Sequence, residues 1–489
     1  LGFSFEGTND QETVVSTQQL PAGFEYPSAG AVPIDATSFI TENKIFSYFS
    51  RVGLSYLDKI FVEGTMRADA SSVFGAGNQV GYFPAASAAY LISEEEFFRN
   101  DVVSTFKLRA SWGQTGNQSG IGNFGSRFLA GVGTYGPRPG TAITQLGAPD
   151  LGWETTTQTN LGIDLTFFDR IDIGYDYYVK ESDDLLLSRP LRNSSGFTSV
   201  SANVGSMRNE GHEISLNARI FEGDFNWTMQ IQAAWNENEI TGLQTDAAGE
   251  SIPIDQGFAT RLAVGQPLGA FFALESDGLW QEGDNIPQPL LDRGIAPGDV
   301  RYVDQDGNGN INANDRVFVG NPNPRITGNF RNTFRFKNFD LSANLQFEED
   351  KDLFNNSNAF GGASGSFLFN KFTNQLNYWT PENTDTNIPR PRYGGQQSYN
   401  NQDSDRFIED ASYIRLKEVV LGYTVNPQFF GNDMSLRIFI GGDNLWTKTD
   451  YSGLDPEVNT FGNNNTARGT DFFTQGLNKV YKVGVNLKF

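Results

Sequence analysis

The chain has no Cys and a single His among 489 residues. Without Cys there can be no disulfide, no thiolate metal site and no thiol nucleophile. The absence also suits a protein that crosses an oxidising compartment. Basic residues are scarce too, 36 Lys+Arg against 58 Asp+Glu, for a formal charge of −22. A phosphate-binding surface needs a basic stripe, so nucleic acid is excluded as a partner. No apolar run approaches the ~20 residues that a transmembrane helix requires. The opening LGFSFEG reads as the end of a strand and not as a signal peptide, so the natural start is expected to lie elsewhere.

What is abundant is aromatic and flexible: 41 Phe, 17 Tyr and 53 Gly, with a hydrophobic fraction of only 38%. That mixture favours many strands and turns over helices. The length suits two or three soluble domains or one very large closed β structure.

Period-2 alternation decides how the strands are built. Ile214, Leu216, Ala218 and Ile220 alternate with polar residues, and Phe225, Trp227, Met229, Ile231, Ala233 and Trp235 do so after an EGD turn. The same pattern covers 161–167, 171–177, 339–347, 419–425, 436–440 and 481–489. A soluble sandwich would bury the apolar face; a membrane barrel would turn it to lipid and keep the polar face wet. The polar face carries Gln230, Gln232, Arg219 and Arg331, as a water-filled interior would want. Trp227 and Trp235 lie on one face at a separation of roughly 19 Å for a tilted strand, close to that of the two interfacial girdles.

Connection lengths alternate as well. Short turns occur at 57–59, 168–170, 221–224 and 336–339, and long polar segments at about 117–152, 239–323, 351–405 and 450–474. Short periplasmic turns alternating with long extracellular loops is the outer-membrane pattern, and it closes on a periplasmic C-terminus. The expected fold is therefore all-β: a transmembrane antiparallel β-barrel with about 14 strands in this chain, the earliest a remnant at 1–6.

Few segments carry chemistry. In DVRYVDQDGNGNINANDRVFVG, 299–320, the residues Asp304, Asp306, Asn308, Asn310, Asn312 and Asp315 fall where a calcium loop places its oxygen ligands. An EF-hand needs flanking helices, which the surrounding sequence does not promise. Either Ca2+ binds there as a structural ion, weakly because Asp315 replaces the usual long Glu, or the segment is a metal-free turn held by Asx hydrogen bonds. GIGNFG, 120–125, fits a dinucleotide fingerprint but no βαβ unit follows it. The acidic EEEFF, 94–98, reads as a solvated turn. His212, in phase with the apolar face, reads as an interface residue, since no nucleophile motif accompanies it. Trp280, Tyr378 and Trp379 are the candidate substrate-contacting residues in the long loops, aromatic rings set among amides. No catalytic residue emerges, and the chain reads as something other than an enzyme.

Several stretches together resemble one family: FKLRASWGQTGNQ (106–118), NVGSMRNEGHEISL (203–216), GDVRYVDQDGNGNINANDRVFVGNPNPRITGNF (298–330), GGDNLWTKTDYSGLDPEVN (441–459) and the ending VYKVGVNLKF. In this order they resemble the SusC-type TonB-dependent transporters of Bacteroidota outer membranes, across nearly the whole chain. The resemblance implies a 22-stranded barrel plugged by an N-terminal domain, a SusD-like surface lipoprotein as lid, and import driven by TonB–ExbB–ExbD through a TonB box. The chain contains neither plug nor TonB box, so it is expected to be the C-terminal barrel portion, completed by the remainder of a longer protein or by another chain. A self-closed fourteen-stranded passive channel and a docking platform for surface lipoproteins are the alternatives. The cargo, glycan or peptide, is left open.

Replacing Asp304 and Asp306 together by Ala is expected to loosen the 299–320 segment and abolish any ordered metal there. Limited proteolysis and a Tb3+ luminescence titration of the two proteins check this. Equal protease resistance, with no lanthanide signal from the parent, would reduce the motif to a turn.

Overall fold

A computed structural model describes all residues other than 25, 99, 137, 363–369, 393–398, 426–434, 463 and 489. Contacts group the chain into two units, Leu1–Tyr90 with Arg109–Asn160 and Lys180–Met207, and Leu91–Leu108 with Leu161–Val179 and Arg208–Phe489. Fourteen strands form one antiparallel sheet whose order follows the chain. They are β1 (Gly2–Gln18), β2 (Val32–Tyr56), β3 (Ile60–Ser71), β4 (Val80–Leu91), β5 (Val103–Asn117), β6 (Glu154–Phe167) and β7 (Ile171–Asp183). The series continues with β8 (Ser206–Phe221), β9 (Phe225–Gly242), β10 (Ile326–Phe336), β11 (Phe339–Glu349), β12 (Tyr413–Val425), β13 (Ser435–Thr449) and β14 (Val480–Lys488). Every alternating segment read from the sequence lies in one of these strands. Phe489 falls outside the described residues.

The short turns sit between β2 and β3, β6 and β7, β8 and β9, and β10 and β11, as the punctuation indicates. Leu57, Asp58, Phe168 and Asp169 have φ between 52° and 55°, the left-handed backbone that lets a two-residue turn follow the twist of its strands. The exposed 3-10 turns over 92–98 carry the EEEFF acids.

The first strand is a correction. It is no remnant of six residues: β1 pairs with β2 from Gly2↔Phe49 to Gln18↔Val32. Beyond Glu6 its sequence is mostly polar on both faces, so no period-2 signal marks it. The ladder continues because backbone pairing asks nothing of the side chains once they are in water. A second long connection was also missed, 184–205, where Leu186–Pro190 pairs with Ser199–Asn203.

In the first unit the polar face of the sheet is tied by ions. Asp69 and Ser47 are buried, and Arg67 Nε lies 2.7 Å from both Asp69 carboxylate oxygens while its Nη2 donates to Ser47 Oγ at 2.8 Å. The 118–153 connection folds as a hairpin, Leu129–Tyr135 against Arg138–Gln145, beside a small core of Phe74, Leu151 and Leu186.

In the second unit, register sets the two faces. Ile231 pairs with Phe330, which pairs with Leu345, which pairs with Leu416, giving one apolar row. One residue along, Gln232, Asn329, Gln346 and Arg415 form a polar row. Between Leu416 and Glu418 a bulge sets Lys417 against Asn444 and Leu445. This explains why the apolar phase in β12 runs through Ile414 and Leu416 but then through Val419, Leu421 and Tyr423. Gly422 leaves room on the polar face: a Cβ there would lie 2.5 Å from both Arg437 Nη2 and Asp340 Oδ1 and displace the ion pair that crosses β12.

The chain exposes 29190 Å² at 54.0 kDa. A compact soluble protein of that mass exposes roughly 18,000 Å². The excess sits on apolar strand residues: Val483 is 78% exposed, Val52 64% and Ile440 55%. A soluble globule would bury these; lipid covers them in a membrane barrel. His212 belongs to that face, its Nδ1 2.8 Å from the Tyr175 hydroxyl and its ring 5.1 Å from that of Tyr177. No helix among the described residues is long and apolar enough to cross a membrane.

Ile231→Arg is expected to destabilise folding in detergent or bilayer by roughly 2–4 kcal/mol, and Gln232→Arg by much less, because only the first side chain meets lipid. Urea unfolding of the intact protein in lipid vesicles checks this. Equal penalties at the two positions would contradict the assignment of faces.

Candidate functional site

Among the described residues of the second unit, three long connections, 243–325, 350–412 and 450–479, fold against one another. Four short strands, Ile254–Gly257, Thr260–Leu262, Phe271–Leu274 and Arg316–Gly320, form a sheet within the first connection. Asp352–Asn355 of the second pairs antiparallel with Ile408–Asp410 and parallel with Thr470–Asp471 of the third. These are folded elements with their own cores. Phe271, Ala273, Phe354 and Phe407 make one, and Leu353, Ala411, Tyr451 and Val458 another.

A buried acid locks the first connection to the second. Asp299 is fully buried, accepting from Arg390 Nε at 3.0 Å and Nη2 at 2.8 Å, from Arg392 Nη1 at 3.1 Å and from Asn400 Nδ2 at 3.0 Å. The Asn400 amide oxygen in turn accepts from the Val300 backbone N–H at 2.9 Å. A buried carboxylate is tolerable only when so fully paired.

A buried cation locks the third connection to the sheet. Arg415 of β12 is 1% exposed, donates to Asp455 Oδ1 at 2.7 Å and contacts Glu457. Burial raises the Asp455 pKa, but Arg415 and the backbone N–H groups of Glu457 and Leu477 outweigh it and hold the carboxyl below its usual range. The polar row below them borders a groove of about 460 Å3 lined by Asp176, Glu213, Gln232, Asn329, Gln346 and Glu348.

The calcium-type segment lies between the strands Val300–Tyr302 and Arg316–Gly320, with a one-turn 3-10 helix, Ala313–Asp315, inside it. The carboxylates of Asp304, Asp306 and Asp315 come within 4.8 Å of one another. Asp304 accepts from the backbone N–H groups of Gly309 at 2.7 Å and Gly307 at 2.8 Å, and these bonds lower its pKa. Asp315 is fully buried and accepts from Gln305 and Asn312 N–H at 3.0 and 2.7 Å. The amides are spent locally: Asn308 Oδ1 accepts from Asn310 N–H and Asn312 Oδ1 from Asn314 N–H, at 2.8 and 2.9 Å. Asn310 Oδ1 accepts from Arg293 Nη1 at 3.0 Å. Three acids are thus brought together, while the Asx pattern also holds the turn by itself.

The three candidate aromatics separate. Trp379 is 6% exposed and packs with Leu274, Leu279, Leu290, Val300 and Tyr399, its Nε1 donating to Gln281 Oε1 at 2.9 Å. Its ring lies so close to Gly298 (φ 87°) that a Cβ there would approach to 2.3 Å. Trp379 therefore presents no open face to a ligand here. Trp280 is half-buried against the same core, with the Arg301 guanidinium 5.7 Å from its ring. Tyr378 is exposed. The residues that organise this region, Asp299, Arg390 and Arg415, escaped sequence reasoning, because their partners are about 40 to 100 positions away.

A lipid-facing sheet with folded long connections defines the class: an outer-membrane β-barrel wall. The family described as TonB dependent receptor-like, beta-barrel, matches residues 2–283. TonB-dependent receptor P3 of Formosa agariphila is 33% identical over 514 residues, covering 100% of this chain and 50% of that protein. TonB-dependent receptor SusC of Bacteroides thetaiotaomicron is 30% identical over 491 residues, covering 92% of this chain and 46% of that one. The structure of the RagAB peptide transporter superposes with a TM-score of 0.81 at 26% identity, over 100% of this chain and 53% of that one. The chain belongs to the TonB-dependent receptor family, a family of receptors and transporters and not of enzymes. It spans about half the length of the relatives it matches.

Asp299→Ala is expected to cost at the lower end of roughly 3–5 kcal/mol, since both arginines keep some solvent, and to free the 387–392 segment. Protease nicking mapped by mass spectrometry checks this. Retained protection of that segment would show that the clamp is dispensable.

Proposed function

We propose that this chain forms part of the barrel wall and the extracellular loops of a TonB-dependent importer of peptide or glycan nutrients. The single observation that carries the reading is the full-length match of this chain to about half of the RagAB peptide transporter, at 26% identity. In the reading, the folded long connections face outward, beneath a SusD-like lipoprotein lid, and the C-terminus lies in the periplasm. The polar groove bordered by Asp176, Glu213, Gln232 and Glu348 belongs to the wet interior that cargo crosses. In the same reading, TonB–ExbB–ExbD act through a plug and a TonB box.

The edge strands support completion of the barrel from outside this chain. In the sheet order β1 and β14 each have one hydrogen-bonded neighbour. An open strand edge in lipid leaves backbone groups without partners at several kcal/mol each, so further strands must pair with them. A self-closed passive channel would need those two edges for each other.

The reading includes a structural cation in the 304–315 turn. Asp304, Asp306 and Asp315 would hold it, with Asn308, Asn312 and the Asn310 carbonyl completing an oxygen shell. Its effect would be to stiffen a long loop near the mouth. Tyr378, exposed on the second connection, and the half-buried Trp280 are the aromatics left for cargo contact.

In the full-length protein, deleting the TonB box is expected to abolish energised uptake while leaving equilibrium binding of cargo intact. Uptake of labelled peptide and oligosaccharide pools by whole cells, with and without a proton uncoupler, checks this. Uptake that survives both treatments would support the passive channel instead.

A further inference from the structure

A second pocket, of about 360 Å3, lies wholly among the long connections of the second unit, where the first two meet. Its polar lining comes from Ser276, Asn358, Asn374, Gln375, Asn387 and Arg406, and its apolar lining includes Leu279 and Ile388. The cation is the unusual element. Arg406 Nη1 donates to the Asn400 carbonyl at 3.1 Å and Nη2 to the Asn387 carbonyl at 3.2 Å. Among the described residues no carboxylate forms an ion pair with it. The neighbouring Asp405 is engaged elsewhere, accepting from Ser276 N–H at 3.0 Å and Ser276 Oγ at 2.6 Å. Burial lowers the Arg406 pKa, against the opposing influence of Tyr302 and Asp405.

The guanidinium is held by two neutral carbonyls, with the Tyr302 hydroxyl, the Phe407 ring at 5.5 Å and the Asp405 charge nearby, but no carboxylate among the described residues bonds it directly. Removing it from water is costly unless a charge-assisted partner arrives. Its fork geometry suits a carboxylate. Gln375 lines the same pocket, and its buried Oε1 has no hydrogen-bond partner among the described residues, an acceptor whose capacity is unused.

We propose that this pocket receives the C-terminal residue of a peptide cargo, Arg406 taking its carboxylate and Gln375 Oε1 accepting from its backbone N–H. Leu279 and Ile388 give the side chain an apolar wall. An acidic glycan offers a carboxylate too, but a pyranose needs an open ring face to stack on. The lining's aromatic residue, Phe407, is 4% exposed. The proposal rests on reading the chain as part of a nutrient importer and narrows the cargo within that reading.

The test uses the full-length transporter with its barrel complete, in lipid nanodiscs, and equilibrium binding by calorimetry. The probes are a mixed-sequence hexapeptide pool with free C-termini, the same pool amidated, and oligogalacturonate. Amidation is expected to weaken binding roughly tenfold or more, and Arg406→Gln to weaken the free-acid pool equally while leaving the amidated pool unchanged. Asn374→Asp, on the exposed rim, adds a like charge and should also weaken only the free-acid pool, so it decides the matter should R406Q fail to fold. Equal affinity for acid and amide pools overturns the proposal. So does a free-acid affinity untouched by N374D, or a loss confined to oligogalacturonate. Energised uptake of the free-acid peptide and oligosaccharide pools by the parent protein is a separate readout: the absence of both would sink the importer reading, whereas the binding pattern judges the pocket.

Discussion

Hydrocarbon offers no hydrogen-bond partner, so every backbone N–H and C=O that crosses it must be satisfied by another strand. The rest of this molecule follows from that constraint. Strands pair with their chain neighbours from β1 to β14, through tight turns at alternate junctions and through long folded connections at others. Pairing then fixes register, and register divides the side chains into an apolar row such as Ile231, Phe330 and Leu345 and a polar row such as Gln232, Asn329 and Gln346. In the sheet order β1 and β14 are the two end strands, each with one neighbour.

Away from lipid the constraint changes character. The long connections are in water, where loops could wander, yet they are folded. Small apolar cores supply part of the reason, and paired buried charges supply the rest. Asp299 joins Arg390, Arg392 and Asn400 across two connections, and Arg415 holds Asp455 and Glu457 of a third against β12. Such groups are weak sources of net stability but strong sources of specificity, because any other arrangement strands a charge. They shape both the outer surface and the pocket that Arg406 lines.

Much of the strand architecture was legible because a membrane strand must alternate, and alternation survives in the letters. The strands carrying Ile214, Phe225, Phe339 and Tyr481 lie where their period-2 patterns run. The long first strand was not legible, since residues 7–18 pair in water where side chains of either kind are allowed. The Lys417 bulge was invisible as well: it shows only as a phase change that a partner strand must explain. At the candidate site the spacing of Asp304, Asp306 and Asp315 did bring three carboxylates together, because a turn that short is local. The aromatics divided otherwise. Adjacent letters at 378 and 379 put Tyr378 on the surface and Trp379 in a core, a difference set by Gly298 and Gln281 some eighty to a hundred residues away.

The sequence by itself determined the class of protein, the faces of its strands and the family to which it belongs. Those properties are written locally, in the side-chain period and in short motifs. Only the tertiary structure decided which long connections meet, which charges are buried together, and that a guanidinium faces a pocket without a carboxylate of its own. The reason is physical: burial and charge pairing depend on residues brought together from a hundred positions apart, and no window of sequence contains both partners.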